Sequence, residues 1–244
     1  MRTINALTLA IPLVMAASTA MAERATGDVA AAACASCHGV KGEGNADLGL
    51  PALAGVPRGY FVKQIEDFRS GKRTSPIKTP YDERLNNSEV LRSEDPEAIA
   101  DFYAHWMIGV AKGISIEDAK AAAGYYASLD RTNIQAKAGN PRPVDPEVIA
   151  IGEELAINGD WDRDIPPCFK CHAVDGVGVE PWFPPLAGQH PDYIVRQLKA
   201  WKNGARANDP LDLMKTVSEN LTDDEIHAVA AYMATLEAQE KADE

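Results

Sequence analysis

Apolar residues recur along this chain at the spacing of a helix, and nowhere convincingly at the spacing of a strand. Tyr60, Phe61, Ile65 and Phe68 form one stripe over 60–68, and Gly71 follows as a stop. Ile194, Leu198 and Trp201 repeat that stripe over 193–201, and Val148, Ile151 and Leu155 mark another over 147–158. Thr222-Asp223-Asp224-Glu225 has the form of a capping box opening the last helix, with Ser115 to Asp118 as a looser counterpart. Core packing is the main meaning of such stripes, so the pattern predicts an all-α protein. The apolar run Ile4 to Thr19 is different. It follows Arg2, is interrupted by Pro12 and ends in Ala20-Met21-Ala22, which reads as a secretory signal peptide over 1–22. An uncleaved anchor fits less well, because the run is short for a membrane span. No later segment is long and apolar enough to be one.

The stripes belong to an internal repeat. Cys37, His38, Gly42 and Gly44 match Cys171, His172, Gly176 and Gly178 at a spacing of 134 residues. Pro51-Ala52-Leu53-Ala54-Gly55 matches Pro184-Pro185-Leu186-Ala187-Gly188 at 133, and Tyr60, Gln64, Phe68, Gly71 and Arg73 match Tyr193, Gln197, Trp201, Gly204 and Arg206. From Met107, Ile114, Ser115, Tyr125 and Leu129 to Met214, Leu221, Thr222, Tyr232 and Leu236 the spacing is 107, so the first half carries 26 extra residues. The expected organisation is a module over 23–135 with an insert at about 74–106, a linker over 136–146 and a second module over 147–244. Pro141, Pro143, Pro146 and Gly139 forbid a continuous helix in the linker. Within the insert, Pro96 is placed to open a helix whose stripe is Ile99, Phe102, Tyr103 and Trp106. That helix is read as cover for the first module; a partner-docking role is the sharper alternative.

Composition narrows the partners. The chain has 244 residues, 45% hydrophobic and 25% charged, with 24 Lys+Arg against 36 Asp+Glu and a formal charge of -12. Nucleic acid is excluded as an expected partner, since phosphate binding needs clustered cations. An acidic surface suits solubility, and it suits steering toward a basic patch on a partner.

The chemistry lies in two pentapeptides, Cys34-Ala35-Ser36-Cys37-His38 and Cys168-Phe169-Lys170-Cys171-His172. C-x-x-C-H is the attachment signature of c-type haem. Cysteines three apart share a helical turn and can both bond one haem, and the following histidine then faces its iron. A zinc site would need the two pairs roughly 15–20 residues apart, and a thioredoxin-like site would need a βαβ context. Neither holds here. Two covalently bound haem c groups are therefore expected, held by Cys34, Cys37, Cys168 and Cys171, with His38 and His172 as axial ligands. These four are all the cysteines of the chain. Export and motif support one another, because haem is attached to such proteins outside the bacterial cytoplasm. The sixth iron ligand decides between carrier and catalyst, since a Met thioether raises the potential and closes the iron. Met107 and Met214 occupy equivalent places in the repeat and are the expected ligands, while Met233 reads as core. His105 is the rival to Met107. His190, beside Pro191, is expected in a loop, and His227 on the surface of the last helix. Arg73 and Arg206, also equivalent, are candidate partners for haem propionates; solvated arginines are the alternative.

With these residues in place, the chain resembles the cytochrome c4 family of dihaem class I cytochromes. The resemblance rests on Cys34 to Gly39, Pro51 to Gly55, Gly71-Lys72-Arg73 and Met107 in the first half. In the second half it rests on Cys168 to His172, Pro185 to Gly188, Asn208-Asp209-Pro210, Met214 and Leu221 to Glu225. The insert departs from it. The resemblance implies two tandem class I cytochrome c domains with facing haem edges. It also implies a periplasmic carrier, not an enzyme, that passes electrons from a quinol-oxidising complex to a terminal oxidase or other acceptor. Peripheral membrane association is compatible with that role. The chain also resembles the haem subunit of a dehydrogenase complex such as flavocytochrome c sulfide dehydrogenase, in which the chemistry sits on another chain. A dihaem peroxidase would need an open haem. A thiosulfate dehydrogenase of similar architecture uses a cysteine as distal ligand, and none is spare here.

Overall fold

The computed structural model describes residues 27–46, 49–74, 106–132, 134 and 144–236. Helix α1 runs through 27–38, α2 spans Arg58–Ser70, α3 runs through 106–113 and α4 spans Ile116–Ser128. In the second half come α5 (Pro146–Ile157), α6 (Phe169–His172), α7 (Pro191–Lys202), α8 (Leu213–Asn220) and α9 (Asp223–Thr235). Among the described residues the only β pairings are isolated bridges, so the all-α expectation holds. The expected signal peptide, most of the insert and linker, and His105 lie outside the described residues.

The helix ends follow the local chemistry of the chain. Gly71 closes α2 at φ 76°, a left-handed conformation that costs glycine nothing. Thr222 accepts from the backbone N–H of Glu225, whose carboxylate accepts from the N–H of Thr222, completing the capping box of α9. At α4, Ser115 accepts from the N–H of Asp118, and the carboxylate of Asp118 accepts from the Ser115 hydroxyl instead of closing the box. Pro146 sits in the first turn of α5, with the Asp145 side chain accepting from the N–H of Glu147.

Each half has its own apolar core. Phe61, Ile65 and Phe68 of α2 pack with Ala119, Ala122, Ala123 and Tyr126 of α4. In the second half Leu155 of α5 and Ile194 and Leu198 of α7 pack with Ile226, Val229 and Met233 of α9. Each large apolar side chain buried this way contributes about 1.5–3 kcal/mol. The α5–α9 crossing is tight enough that a β-carbon on Gly152 would lie 2.2 Å from the carbonyl oxygen of Ala228. Gly27 holds the corresponding place at the α1–α4 crossing, where a β-carbon would lie 3.1 Å from the carbonyl oxygen of Ala121.

These two glycines expose an asymmetry that the repeat alone concealed. Gly27 precedes Cys34 by 7 residues, whereas Gly152 precedes Cys168 by 16. The second half therefore has an excursion between α5 and α6. It contains a 3-10 turn, Trp161–Arg163, with the Trp161 side chain exposed. The guanidinium of Arg163 anchors it, donating to Glu225 at 2.6 and 3.1 Å and to Asp160 at 2.6 Å. Arg163 holds the Glu225 carboxyl well below the usual carboxylate range, at about 2.

Two outcomes follow. Gly152→Ala should cost about 1–3 kcal/mol of stability through overpacking, read as a lowered denaturant midpoint; an unchanged midpoint would show that the crossing is looser than described. Glu225 has a folded-state pKa below its unfolded one, so its contribution is present above the ordinary carboxylate range and is lost as pH falls toward about 2. Arg163→Ala should therefore move acid unfolding to higher pH in a circular dichroism titration, and an acid limb identical to the parent's would contradict this.

Candidate haem site

Both C-x-x-C-H motifs end on a helix. Cys34, Cys37 and His38 lie in the last turns of α1, while Cys168 precedes α6, whose last residues are Cys171 and His172. Both histidines are buried, at 5% and 6% exposure. His38 Nδ1 lies 2.9 Å from the carbonyl of Pro51, and His172 Nδ1 lies 2.7 Å from that of Pro184. A carbonyl only accepts, so Nδ1 carries the proton in both rings, which leaves Nε2 with a lone pair. Burial, partly offset by these bonds, pushes both imidazoles below the ordinary pKa, which keeps them neutral and competent as ligands. Burial also raises the thiols of Cys34 and Cys168 to about 11. They are unsuited to redox exchange as thiolates. Among the described residues, no three His, Cys, Asp or Glu side chains converge on a metal-binding point.

One apolar cavity runs through both halves and is lined by both motifs, Met107 and Met214. Met107 is on α3 and Met214 on α8, each in the second position given for its helix. A repeated device holds these helices. Arg69, at the end of α2, donates to the carbonyls of Ala111 and Ile114 at 2.9 and 2.6 Å. Lys202, its counterpart at the end of α7, donates to the carbonyl of Leu221 at 2.5 Å. Cations at helix C-termini also complement the dipole. Met233 is fully buried in the second core, as expected, and reaches the cavity wall as well. His227 is exposed. His190 is not in an open loop: it precedes α7, is 1% exposed, and its Nε2 donates to the carbonyl of Glu43 in the first half at 3.1 Å.

Arg73 and Arg206 are neither solvated nor separate. Both are buried, at 6% and 3% exposure, and they pair with one another in an antiparallel bridge that joins the halves. Arg73 donates to Gln64 at 2.8 Å, Tyr193 at 2.7 Å and Gln197 at 2.8 Å. Arg206 answers with Gln197 at 2.8 Å and with Tyr60 and Gln64 at 3.0 Å each. Its guanidinium stacks over Trp201, 3.7 Å from the ring centroid, and that of Arg73 lies over Phe68 at 4.6 Å. Burial disfavours ionisation of the Tyr60 phenol, but the two guanidiniums outweigh it and hold its pKa below the ordinary value. The sequence places Tyr60 on an apolar stripe and matches Gln64 to Gln197 in the repeat without giving either glutamine a role. Their exact repetition beside Arg73 and Arg206 was the available signal. Arg131, which has no such signal, clamps the carbonyls of Ala54 and Ala187 at 2.5 and 2.8 Å and so ties the halves together again.

The lining fits a haem. Among the described residues Trp201 Nε1 is buried without a hydrogen-bond partner, and it belongs to the cavity wall. The two arginines on the same wall are bonded to neutral oxygens among the described residues. Two groups, each bringing carboxylates to this end, apolar faces to the remainder and an iron to one of the two Nε2 atoms, match all three features.

All-α modules that close a helix-borne C-x-x-C-H over an apolar cavity define a c-type cytochrome. The cytochrome c family model matches residues 25–129 and 166–237. The chain is 38% identical to the thiosulfate dehydrogenase electron acceptor of Stutzerimonas stutzeri, covering 86% of this chain and 82% of that protein. It is 31% identical to the cytochrome c4 of Pseudomonas aeruginosa, over 89% and 90% of the two chains. The solved thiosulfate dehydrogenase of Marichromatium purpuratum, as isolated, superposes with a TM-score of 0.63 at 35% identity. That match covers 83% of this chain but 36% of the other, so this chain spans about a third of it. The chain belongs to the cytochrome c4 family of class I c-type cytochromes. It acts in electron transfer and resembles an electron-accepting subunit rather than an enzyme with its own active site.

The seam between the halves should behave as one network. Arg73→Ala and Arg206→Ala should each cost about 2 kcal/mol, because buried phenol and amide groups lose their partners. The double variant should depart from additivity by about 0.5–3 kcal/mol in denaturant unfolding. Strict additivity would mean that the two guanidiniums act independently.

Proposed function

We propose that this chain is the periplasmic dihaem electron acceptor of a thiosulfate dehydrogenase. The reading is carried by its 38% identity to such an acceptor across 86% of this chain. The fused relationship in the Marichromatium structure supports it, since there a region similar to this chain belongs to a longer thiosulfate dehydrogenase. The sequence had pointed first to a general respiratory carrier, with a dehydrogenase subunit as the alternative; the relatives favour that alternative, with thiosulfate in place of sulfide. The missing fifth cysteine agrees with it: the chain lacks a distal thiolate of its own and accepts electrons from a chain that does the chemistry.

In this reading the modules are 23–135 and 147–244, exported by the signal peptide 1–22. Cys34 and Cys37 would bond one haem and Cys168 and Cys171 the other. His38 with Met107, and His172 with Met214, would supply the axial pairs. Each bound haem supplies a one-electron couple, which the chain tunes through axial ligand, hydrogen bonding and burial. The residues around it do the remaining work. Pro51 and Pro184 fix the imidazole tautomers, Arg69 and Lys202 fix the methionine helices, and the apolar wall excludes water. Arg73, Arg206 and Trp201 would meet the propionates at the seam. The acidic surface, with a formal charge of -12, steers the chain toward a basic face of its donor.

The test is a rapid-mixing experiment with the oxidised holoprotein. Thiosulfate plus a catalytic amount of a thiosulfate dehydrogenase should reduce both haems, at a rate that rises with the dehydrogenase concentration. Reduction no faster than by thiosulfate alone, together with fast reduction by a quinol-oxidising complex, would return the protein to the general carrier role.

A further inference from the structure

The loop that orients the first histidine is held by the second module. Pro51 supplies the carbonyl that accepts from His38. The next residue, Ala52, is 1% exposed, and both its backbone groups are gripped by the side chain of Gln189 from the other half. Its N–H donates to Gln189 Oε1 at 3.0 Å, and its carbonyl accepts from Gln189 Nε2 at 3.0 Å. Gln189 is itself 5% exposed and fixed by the N–H of His190, which donates to the same Oε1 at 3.0 Å. The amide therefore has one possible orientation and both its ends are used.

Among the described residues the second loop has no such clamp. In the repeat, Ala52 corresponds to Pro185, which has no N–H to donate, and Gln189 corresponds to Val56, which has no polar atom to offer. The second loop is stiffened from within, by Pro184-Pro185. The first, with one proline, is stiffened from outside. The carbonyl that bonds a metal-bound imidazole tunes the basicity of that imidazole, and hydrogen bonding around the ligand set is one of the levers on haem potential.

We infer that Gln189 is a positioning residue by which the second module sets the reduction potential of the haem in the first. It acts through Ala52 and the Pro51 carbonyl on His38. The inference rests on His38 and Met107 being axial ligands, as proposed above. Loosening the clamp weakens the bond from the His38 N–H to Pro51, makes the imidazole a poorer donor to ferric iron and raises that potential. Nothing equivalent acts on the haem of the second module.

The test is a spectroelectrochemical titration of the holoprotein carrying both haems. Met107→His, made in the parent, assigns the wave of the first haem by displacing it downward. If it displaces neither wave, the ligand reading fails, whatever Gln189 does. With the waves assigned, Gln189→Val should raise the first potential and leave the second in place. Gln189→Met, of similar length and neutral but unable to bond either backbone group of Ala52, should move the first wave the same way. Amide exchange at Ala52 should accelerate in both. Should Gln189→Val fail to load haem, Gln189→Met decides the matter. Equal movement of both waves, movement of the second alone, or no movement overturns the inference.

Discussion

Two guanidiniums buried side by side, with only neutral oxygens bonded to them among the described residues, constrain the whole molecule. Placing even one unpaired charge in a low-dielectric interior costs several kcal/mol. Here two like charges are brought together, because both guanidiniums donate to the same Gln64 and Gln197 oxygens beside the backbone bridge of Arg73 and Arg206. Gln64, Gln197, Tyr60 and Tyr193 satisfy their N–H groups, the rings of Phe68 and Trp201 offer quadrupole faces, and the buried Asp67 carboxylate, bonded to Asn208, is shared with Lys63, so a net positive charge remains. Because each arginine donates to acceptors of the opposite half, neither module can complete its own seam. The mutual arrangement of the halves is thus set by polar geometry as much as by apolar burial. The seam is also electropositive where it meets the cavity, in a chain whose formal charge is -12. The propionates of bound haem are the natural counterions, and in that case haem loading and seam assembly stabilise one another.

How much of this was legible in the sequence depended on range. Helix positions follow from local periodicity, and α2, α5, α7 and the capping box of α9 lie where the apolar spacing put them. Met107 and Met214 were legible because the repeat placed them identically, and both do line the cavity. Tyr60 was misread in part. A tyrosine on an apolar stripe looks like core, and only the facing module reveals what its hydroxyl is for. Gln189 and Arg131 carried no signal at all. Their partners are backbone groups 137 and up to 77 residues away, and a backbone carbonyl looks alike at every position of a sequence. The excursion bearing Trp161 lies upstream of Cys168, outside the stretch in which the two halves share matched residues.

The two modules are one pattern used twice, so their differences carry the functional information. Phe68 is replaced by Trp201, which adds an indole N–H to the wall beside Arg206. Ala52 and Val56 are replaced by Pro185 and Gln189, which makes one loop internally rigid and the other dependent on its neighbour. The excursion between α5 and α6 exists only in the second half, and its anchor, Arg163 to Glu225, ties it to the cap of α9. A carrier that merely stored two equivalent electrons would gain nothing from such divergence.

An acceptor does gain from it. If one haem is to take an electron from a donor and pass it across the seam, the two sites must differ in potential, and the difference must survive changes at the surface. Levers on exposed groups are screened by salt within about 10 Å. The Gln189 clamp, the indole and the paired arginines are all buried or line the cavity, where screening is weak and hydrogen-bond geometry is fixed by packing. The shared fold supplies two near-identical haem pockets, and the buried polar substitutions between them are the means by which such pockets can be made unequal. Closing both irons with protein ligands would complete the assignment: no coordination position would be left for substrate, and electron transfer would be the one chemistry open to this chain.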